Sequence, residues 1–307
     1  MLNRRILRTK AFKTLFSFSE DRSLSLKDCL ALLEISCEAT RDLYLFMLAG
    51  IQPLTGEANR RIEACLTKFN PTEEERNPNR KFAENAVASL LAEDPDFQKL
   101  IEKKKLSWEP YDVLVRNLFD TIREKDYFKA YMAAPGRSLK EDARLFKTIF
   151  ENEFEDNEEL AQILEEMNIY WIDDLGYVLR FDMKSMDEIA KTGRWTYPGL
   201  YPDPTDHVFV SKLVQNAVAN YDRIAGKVAA NVSQWEADRL FNTDIALIAL
   251  GVTEAETFED IPVRATINEY VELTKYYSTP KSRSFVNGLL DRLIKEEMDA
   301  GKIAKRI

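Results

Sequence analysis

Apolar residues in the first twenty positions recur at helical spacing. Leu7, Ala11, Thr14, Leu15 and Phe18 stand at i, i+4, i+7, i+8 and i+11, and Phe12 and Phe16 widen the stripe. The pattern predicts a helix docked by that face. Arg4, Arg5, Arg8, Lys10 and Lys13 meet no acid before Glu20 and are expected at its rim. Over residues 24–181, helix-forming stretches are interrupted by turn chemistry at Asn70-Pro71, Asn77-Pro78, Asp94-Pro95 and Pro135-Gly136. Ser138 with Glu141 three residues on reads as a capping box leading into Leu145, Ile149 and Phe150. No internal repeat is evident.

Pro198, Gly199, Pro202 and Pro204 mark a linker, placed at 194–205. Four amphipathic helices follow. The first starts near residue 206 with Phe209, Leu213 and Ala217 on one face; the second opens at a Ser233/Glu236 capping box and closes at Gly251. Ile261-Pro262 opens the third, with Val263, Ile267, Val271 and Thr274 inward. Thr279-Pro280 opens the fourth, whose core stripe is Val286, Leu289, Leu290, Leu293 and Ile294. Gly288 interrupts that helix at a cost of roughly 1 kcal/mol relative to Ala unless a close helix approach offsets it. The expected fold class is all-α, a helical bundle of two subdomains enlarged by extra helices. Its parts are a basic helix at 1–20, a helical insertion at 21–193, the linker at 194–205 and a helical domain at 206–307.

Composition sharpens this only in places. With 45% hydrophobic and 31% charged residues the chain reads as a soluble globular protein, and 10 Gly and 11 Pro in 307 residues leave few strand punctuators. A formal net charge of −9 argues against wrapping nucleic acid by bulk electrostatics, so any such site must be a local patch. Cys29, Cys37 and Cys65 lack zinc-ligand spacing and read as buried thiols in a reducing cytoplasm. The basic start has no signal-peptide core, and the longest apolar run, 43–51, falls short of the ~20 residues that span a bilayer. A cytoplasmic protein without membrane contact is expected. Asp173-Asp174 and Asp203/Asp206/His207 offer no recognisable ligand spacing, so no metal or cofactor is expected, and His207 reads as a helix-start residue. The acidic run 151–159 reads as a solvated helix end, and Trp195 and Tyr197 as aromatics pinning a loop.

Two clusters resist a purely structural reading. One is the N-terminal cation group. The other is Lys281-Ser-Arg283-Ser-Phe285-Val-Asn287-Gly288, where cations, hydroxyls, an amide and a ring crowd the first turns of a helix. A helix start offers free N–H groups and a positive dipole end to phosphates, and a ring at the edge of the core stripe offers a base a stacking face. The same residues also fit solvated cations, a core Phe285 and a helix-packing Asn287. Composition alone favours that second reading.

Resemblance shifts the balance. The run from Ile261-Pro262 through Ile267-Asn268-Glu269 and Glu272-Leu273 to Lys275, followed by Ser284-Phe285-Val286-Asn287-Gly288-Leu289-Leu290-Asp291, closely resembles the signature of the NusB family. The stretch from Asp244 through Glu254 resembles the preceding family helix, with Ala249 where arginine is common. The start, Arg4-Arg5-Ile-Leu-Arg8-Thr-Lys10-Ala11 to Phe18, resembles the family's Arg-rich opening helix. The resemblance covers roughly 2–18 and 206–294 and leaves the middle without a counterpart. The family's usual chain is about half this length.

The resemblance implies a NusB-like helical bundle and a non-catalytic transcription antitermination factor. Such a factor acts on boxA-type single-stranded RNA of ribosomal RNA transcripts, with NusE, a small-subunit ribosomal protein, and the RNA polymerase antitermination complex. It implies RNA contacts from Arg4, Arg5, Arg8, Lys10, Lys281, Arg283, Phe285 and Asn287, and a partner face at Glu254, Asn268 and Glu269. Lys281 stands where some relatives carry an acid, a change that favours phosphate. The alternatives are a protein–protein adaptor without RNA binding and the RNA-binding part of a ribosomal-RNA methyltransferase system. The latter needs a Gly-rich strand-to-helix turn and a nucleophilic Cys, for which the sequence offers no candidate.

Overall fold

The computed structural model describes residues 1–232 and 241–305. Its helices are α1 (Arg4–Glu20), α2 (Leu26–Ala49), α3 (Ile51–Leu66), α4 (Glu73–Arg76), α5 (Ala86–Glu93), α6 (Pro95–Lys104), α7 (Asp112–Glu124), α8 (Asp126–Ala133), α9 (Leu139–Ile149), α10 (Glu158–Met167), α11 (Leu175–Thr192), α12 (Pro204–Asn231), α13 (Asn242–Thr257), α14 (Val263–Tyr277) and α15 (Ser282–Asp299). No strand occurs among the described residues, and the chain is all-α. The expected Ser233/Glu236 capping box lies outside the described residues.

Two compact units divide the chain. The first joins 1–37 to 200–307 and the second is 38–199. The division at 37/38 falls inside α2, later than the expected start of the insertion at residue 21, and the division at 199/200 falls within the expected linker. Residues 26–37 belong to the first unit, where Glu34 meets His207 at 2.7 Å.

In the first unit α13 is the hub, packing against α1, α12, α14 and α15. Residues from Ala246 to Ala255 along it are all buried. A helix enclosed on every side carries no polar face, and here the sequence is apolar or small nearly throughout. Gly251 therefore does not end this helix, as its sequence position suggested. It lies mid-helix, where a Cβ would come within 2.6 Å of Leu290 Cδ2 and 3.2 Å of Tyr270 Cδ2, so its role is close packing. The predicted stripes of α1 and α15 are buried, and each fully buried Leu or Ile contributes roughly 1.5–3 kcal/mol. Ile267 of α14, expected inward, is half-buried. Asp203 caps α12 by accepting from Thr205 N–H, and Pro204 takes the first helical position, where its missing N–H costs nothing.

The second unit is a bundle in which α9 packs along α11 and α3 packs against α5 and α7. Phe82 stacks on Phe119, meets Phe128 edge-on and packs against Phe146 at a tilt, while Phe46 stacks with Trp108 and Trp171. Ser138 caps α9 by accepting from Glu141 N–H, one half of the expected box, while its hydroxyl donates to the Glu141 carboxylate at 3.1 Å. Trp195 is buried and donates to Tyr44 Oη at 2.9 Å, pinning the chain before the division. Cys29 and Cys37 are buried, but Cys65 is half-exposed rather than buried. Among the described residues no helix is long and apolar enough to cross a membrane, and no side-chain group has metal-ligand geometry.

Candidate nucleic-acid interface

Asn3 starts α1 by accepting from Ile6 N–H, and the helix then turns its cations in different directions. Arg8 and Lys10 are buried rather than at the rim, with relative exposures of 6% and 0%. Arg8 meets Glu254 of α13 through two hydrogen bonds, Nε to Oε2 at 2.7 Å and Nη2 to Oε1 at 2.8 Å. Glu254 also accepts from Thr266 Oγ1 and from Tyr270 Oη, both at 2.9 Å. Burial works against the Arg8 charge, yet the Glu254 hydrogen bonds and charge outweigh it and hold the guanidinium pKa above its ordinary value. Burial, reinforced by Glu254, raises the Tyr270 phenol.

Glu254 is fully enclosed and so offers no surface to a partner. Arg8 and Glu254, expected to meet RNA and a partner, are thus structural, and Lys10, another expected RNA cation, is enclosed. A charge dropped into a core survives only when paired and hydrogen-bonded, and this network meets that condition.

Arg4 and Arg5 remain at the surface, engaged by acids. Arg4 pairs with Asp206 at 3.2 Å and lies 3.7 Å from Asp260, and Arg5 clasps Glu269 at 2.8 and 3.1 Å. The Arg5 hydrogen bond, followed by its charge, lowers the Glu269 carboxyl below its usual range against the effect of burial. Asn268 beside it is exposed.

The second cluster is open. Lys281, Arg283, Ser284 and Asn287 are exposed and Phe285 is half-buried. Phe241, Thr279, Pro280, Lys281, Ser284 and Phe285 line a shallow groove at the start of α15. No side chain caps this helix start; Ser282 N–H donates to the Thr279 carbonyl at 2.9 Å, and the positive dipole end lies at the groove. Arg283 reaches Glu272 at 3.4 Å.

Asp244 fixes the turn that carries these groups, a role the sequence reading missed. It is buried on α13, accepts from Ser278 Oγ at 2.6 Å and from Ser282 Oγ at 2.9 Å, and Ser282 also shares a hydrogen bond with Thr279 Oγ1. Burial raises the Asp244 carboxyl and the two serine bonds oppose that rise. The available signal was an acid directly before the apolar run 245–252.

Among the described residues the first and last helices do not pack extensively on one another. Each packs on α13, and α14 reaches α1 through Arg5–Glu269 and through Phe12–Tyr277, whose ring centroids are 4.9 Å apart.

The NusB family model matches residues 183–295, which run from within α11 into α15 and do not include α1. Three relatives, each named a transcription antitermination protein NusB, illustrate the likeness. The protein of Clostridium botulinum (strain Loch Maree / Type A3) is 36% identical over 86 residues, 28% of this chain and 61% of its own length. That of Listeria monocytogenes serotype 4a is 36% identical over 89 residues, 29% of this chain and 70% of its own. That of Finegoldia magna is 38% identical over 120 residues, 39% of this chain and 82% of its own. No solved structure matches the chain.

Proposed function

Because the chain belongs to the NusB family, we propose that it is a non-catalytic, cytoplasmic RNA-binding antitermination factor, acting on boxA-type single-stranded RNA of ribosomal RNA transcripts with NusE and RNA polymerase. One observation carries this reading: Lys281, Arg283, Ser284, Phe285 and Asn287 stand together around an uncapped helix start, on a turn held by Asp244. Cations and N–H groups suit phosphate oxygens, Asn287 suits a base edge, and Phe285 offers a stacking face beside Phe241. Arg4 and Arg5 join this function only by exchanging a carboxylate for a phosphate. Asn268 and Glu269 form the candidate face for NusE, in place of Glu254.

The engagement of Arg4 and Arg5 by carboxylates favours a second reading, an adaptor that contacts proteins alone. Titration of a labelled boxA-like single strand separates the two. A site neutralising about three phosphates has a log–log salt slope near −2, so affinity falls about 10–20-fold from 50 to 200 mM salt. Absent or salt-independent binding overturns the RNA reading and leaves the adaptor.

A further inference from the structure

The charge of this protein is unevenly shared. Residues 1–37 and 200–307 hold 20 Lys/Arg and 20 Asp/Glu, whereas 38–199 hold 23 and 32, so the second unit carries the whole excess of −9. Within it, Glu158, Glu159, Glu165 and Glu166 of α10 are exposed and none has a cation partner among the described residues. Directly after them the chain makes a short 3-10 turn, Ile169–Trp171, on which Ile169 is 69% exposed and is followed by Ile172 at 46%.

The display is held rigidly. Asn168 accepts from Tyr170 N–H at 3.0 Å, Trp171 is buried and donates Nε1–H to the Ala39 carbonyl at 2.8 Å, and Asp174 accepts from Thr40 Oγ1 at 2.5 Å. With Trp171 committed inward, the isoleucines on either side of it are committed outward. Half-buried Ile163 and Met167 extend the apolar surface along α10. Two β-branched side chains on a pinned turn lose little freedom on docking, and exposed apolar side chains rimmed by charge mark interaction surfaces.

We infer that the α10 end and the turn after it form a docking face for a basic protein segment, one that presents an apolar side chain to Ile169 and Ile172 and lysines or arginines to the glutamates. The uncompensated carboxylates select this occupant: they repel RNA phosphates and anionic lipid headgroups and favour cationic polypeptide. A second copy of this chain would bring the same acids face to face.

The probe is a labelled amphipathic Lys/Leu peptide titrated into the full-length protein, beside a Lys/Ser peptide of equal charge. The Lys/Leu peptide should bind more tightly, and Ile169→Ser with Ile172→Ser should weaken it at least 10-fold while leaving the Lys/Ser peptide and the melting temperature unchanged. Glu165→Lys with Glu166→Lys should weaken both peptides; Glu73→Gln with Glu74→Gln on α4 should weaken neither. Failure of the Lys/Leu peptide to bind overturns the inference, as does equal binding by wild type and the isoleucine variant. Wild-type self-association lost in that variant assigns the face to a second copy and also overturns it. BoxA-like RNA binding is unaffected by either outcome, so this inference and the proposed function fail separately.

Discussion

Arg8 of α1 and Glu254 of α13 meet in a two-point ion pair from which water is almost wholly excluded, at 2.7 and 2.8 Å. An arginine expected to face RNA is instead the bolt between the first helix and the hub. Its removal strands a buried carboxylate, so Arg8→Ala is expected to cost about 3–5 kcal/mol in urea unfolding. Arg8→Glu should cost more, and any accompanying loss of RNA binding then reports unfolding rather than a lost contact. Arg8→Met combined with Glu254→Gln should recover part of the loss, because it removes both charges while the amide keeps an acceptor for one of the Thr266 and Tyr270 hydroxyls and offers a donor to the other. A double variant no more stable than Arg8→Met alone would count against the pair.

At the groove the expectation reverses. Lys281→Glu and Phe285→Ala should each lower affinity for a boxA-like strand about 10-fold or more, stacking on a ring being worth roughly 1–3 kcal/mol per base. Lys281 is exposed, so its variant should melt within about 0.5 kcal/mol of wild type. Arg283→Ala should flatten the log–log salt slope by about 0.7. Anisotropy titrations at several salt concentrations read all three.

Two glycines give opposite signs. Gly288 lies in α15 with nothing within 4 Å of where a Cβ would sit, so Gly288→Ala should stabilise by about 0.5–1 kcal/mol. Gly251→Ala gains the same propensity but drives a methyl into Leu290 and Tyr270, and overpacking typically costs about 1–3 kcal/mol, so the net effect should be destabilising. Paired denaturation curves decide the ordering.

Asp182 on α11 is fully buried and neither carboxylate oxygen has a hydrogen-bond partner. Burial raises its pKa well above the ordinary carboxylate range, so the neutral form is the one the fold tolerates. Its contribution is complete below the unfolded value near 4 and is lost as pH rises through the raised folded value. Asp182→Leu should therefore melt higher than wild type, by a margin that widens from pH 5 to pH 9. A margin that narrows with rising pH would contradict the assignment.

Local periodicity carried much of the fold. The stripes of α1 and α15 and the capping of α9 were legible because each depends on residues within a few turns of one another. Arg8 was misplaced although its position held a clue. At about 100° per residue it lies between Leu7 and Phe12 on the widened apolar arc, where a cation is buried if a partner exists. That partner, Glu254, is 246 residues away, and no local pattern points to it. Gly251 was mistaken for a terminator because a glycine at a helix end and a glycine at a helix crossing look alike until the neighbouring helix is placed. The Lys281–Asn287 cluster was legible as chemistry, whereas the Asp244 bonds that shape its turn arise only when α13 meets the α14–α15 connection.

Leu2 N–H donates to the Leu200 carbonyl at 2.7 Å, stitching together the two stretches of chain that build the first unit. Between those stretches lie 162 residues that form the other unit. On a ribosome adding about 5–20 residues per second, the opening helix waits roughly 10–40 s for α12 and longer for α13 to emerge. The uninterrupted unit can finish folding in that interval. During synthesis Arg8 and the apolar stripe of α1 are therefore the surfaces most in need of a chaperone, and the part resembling NusB is the last to be completed.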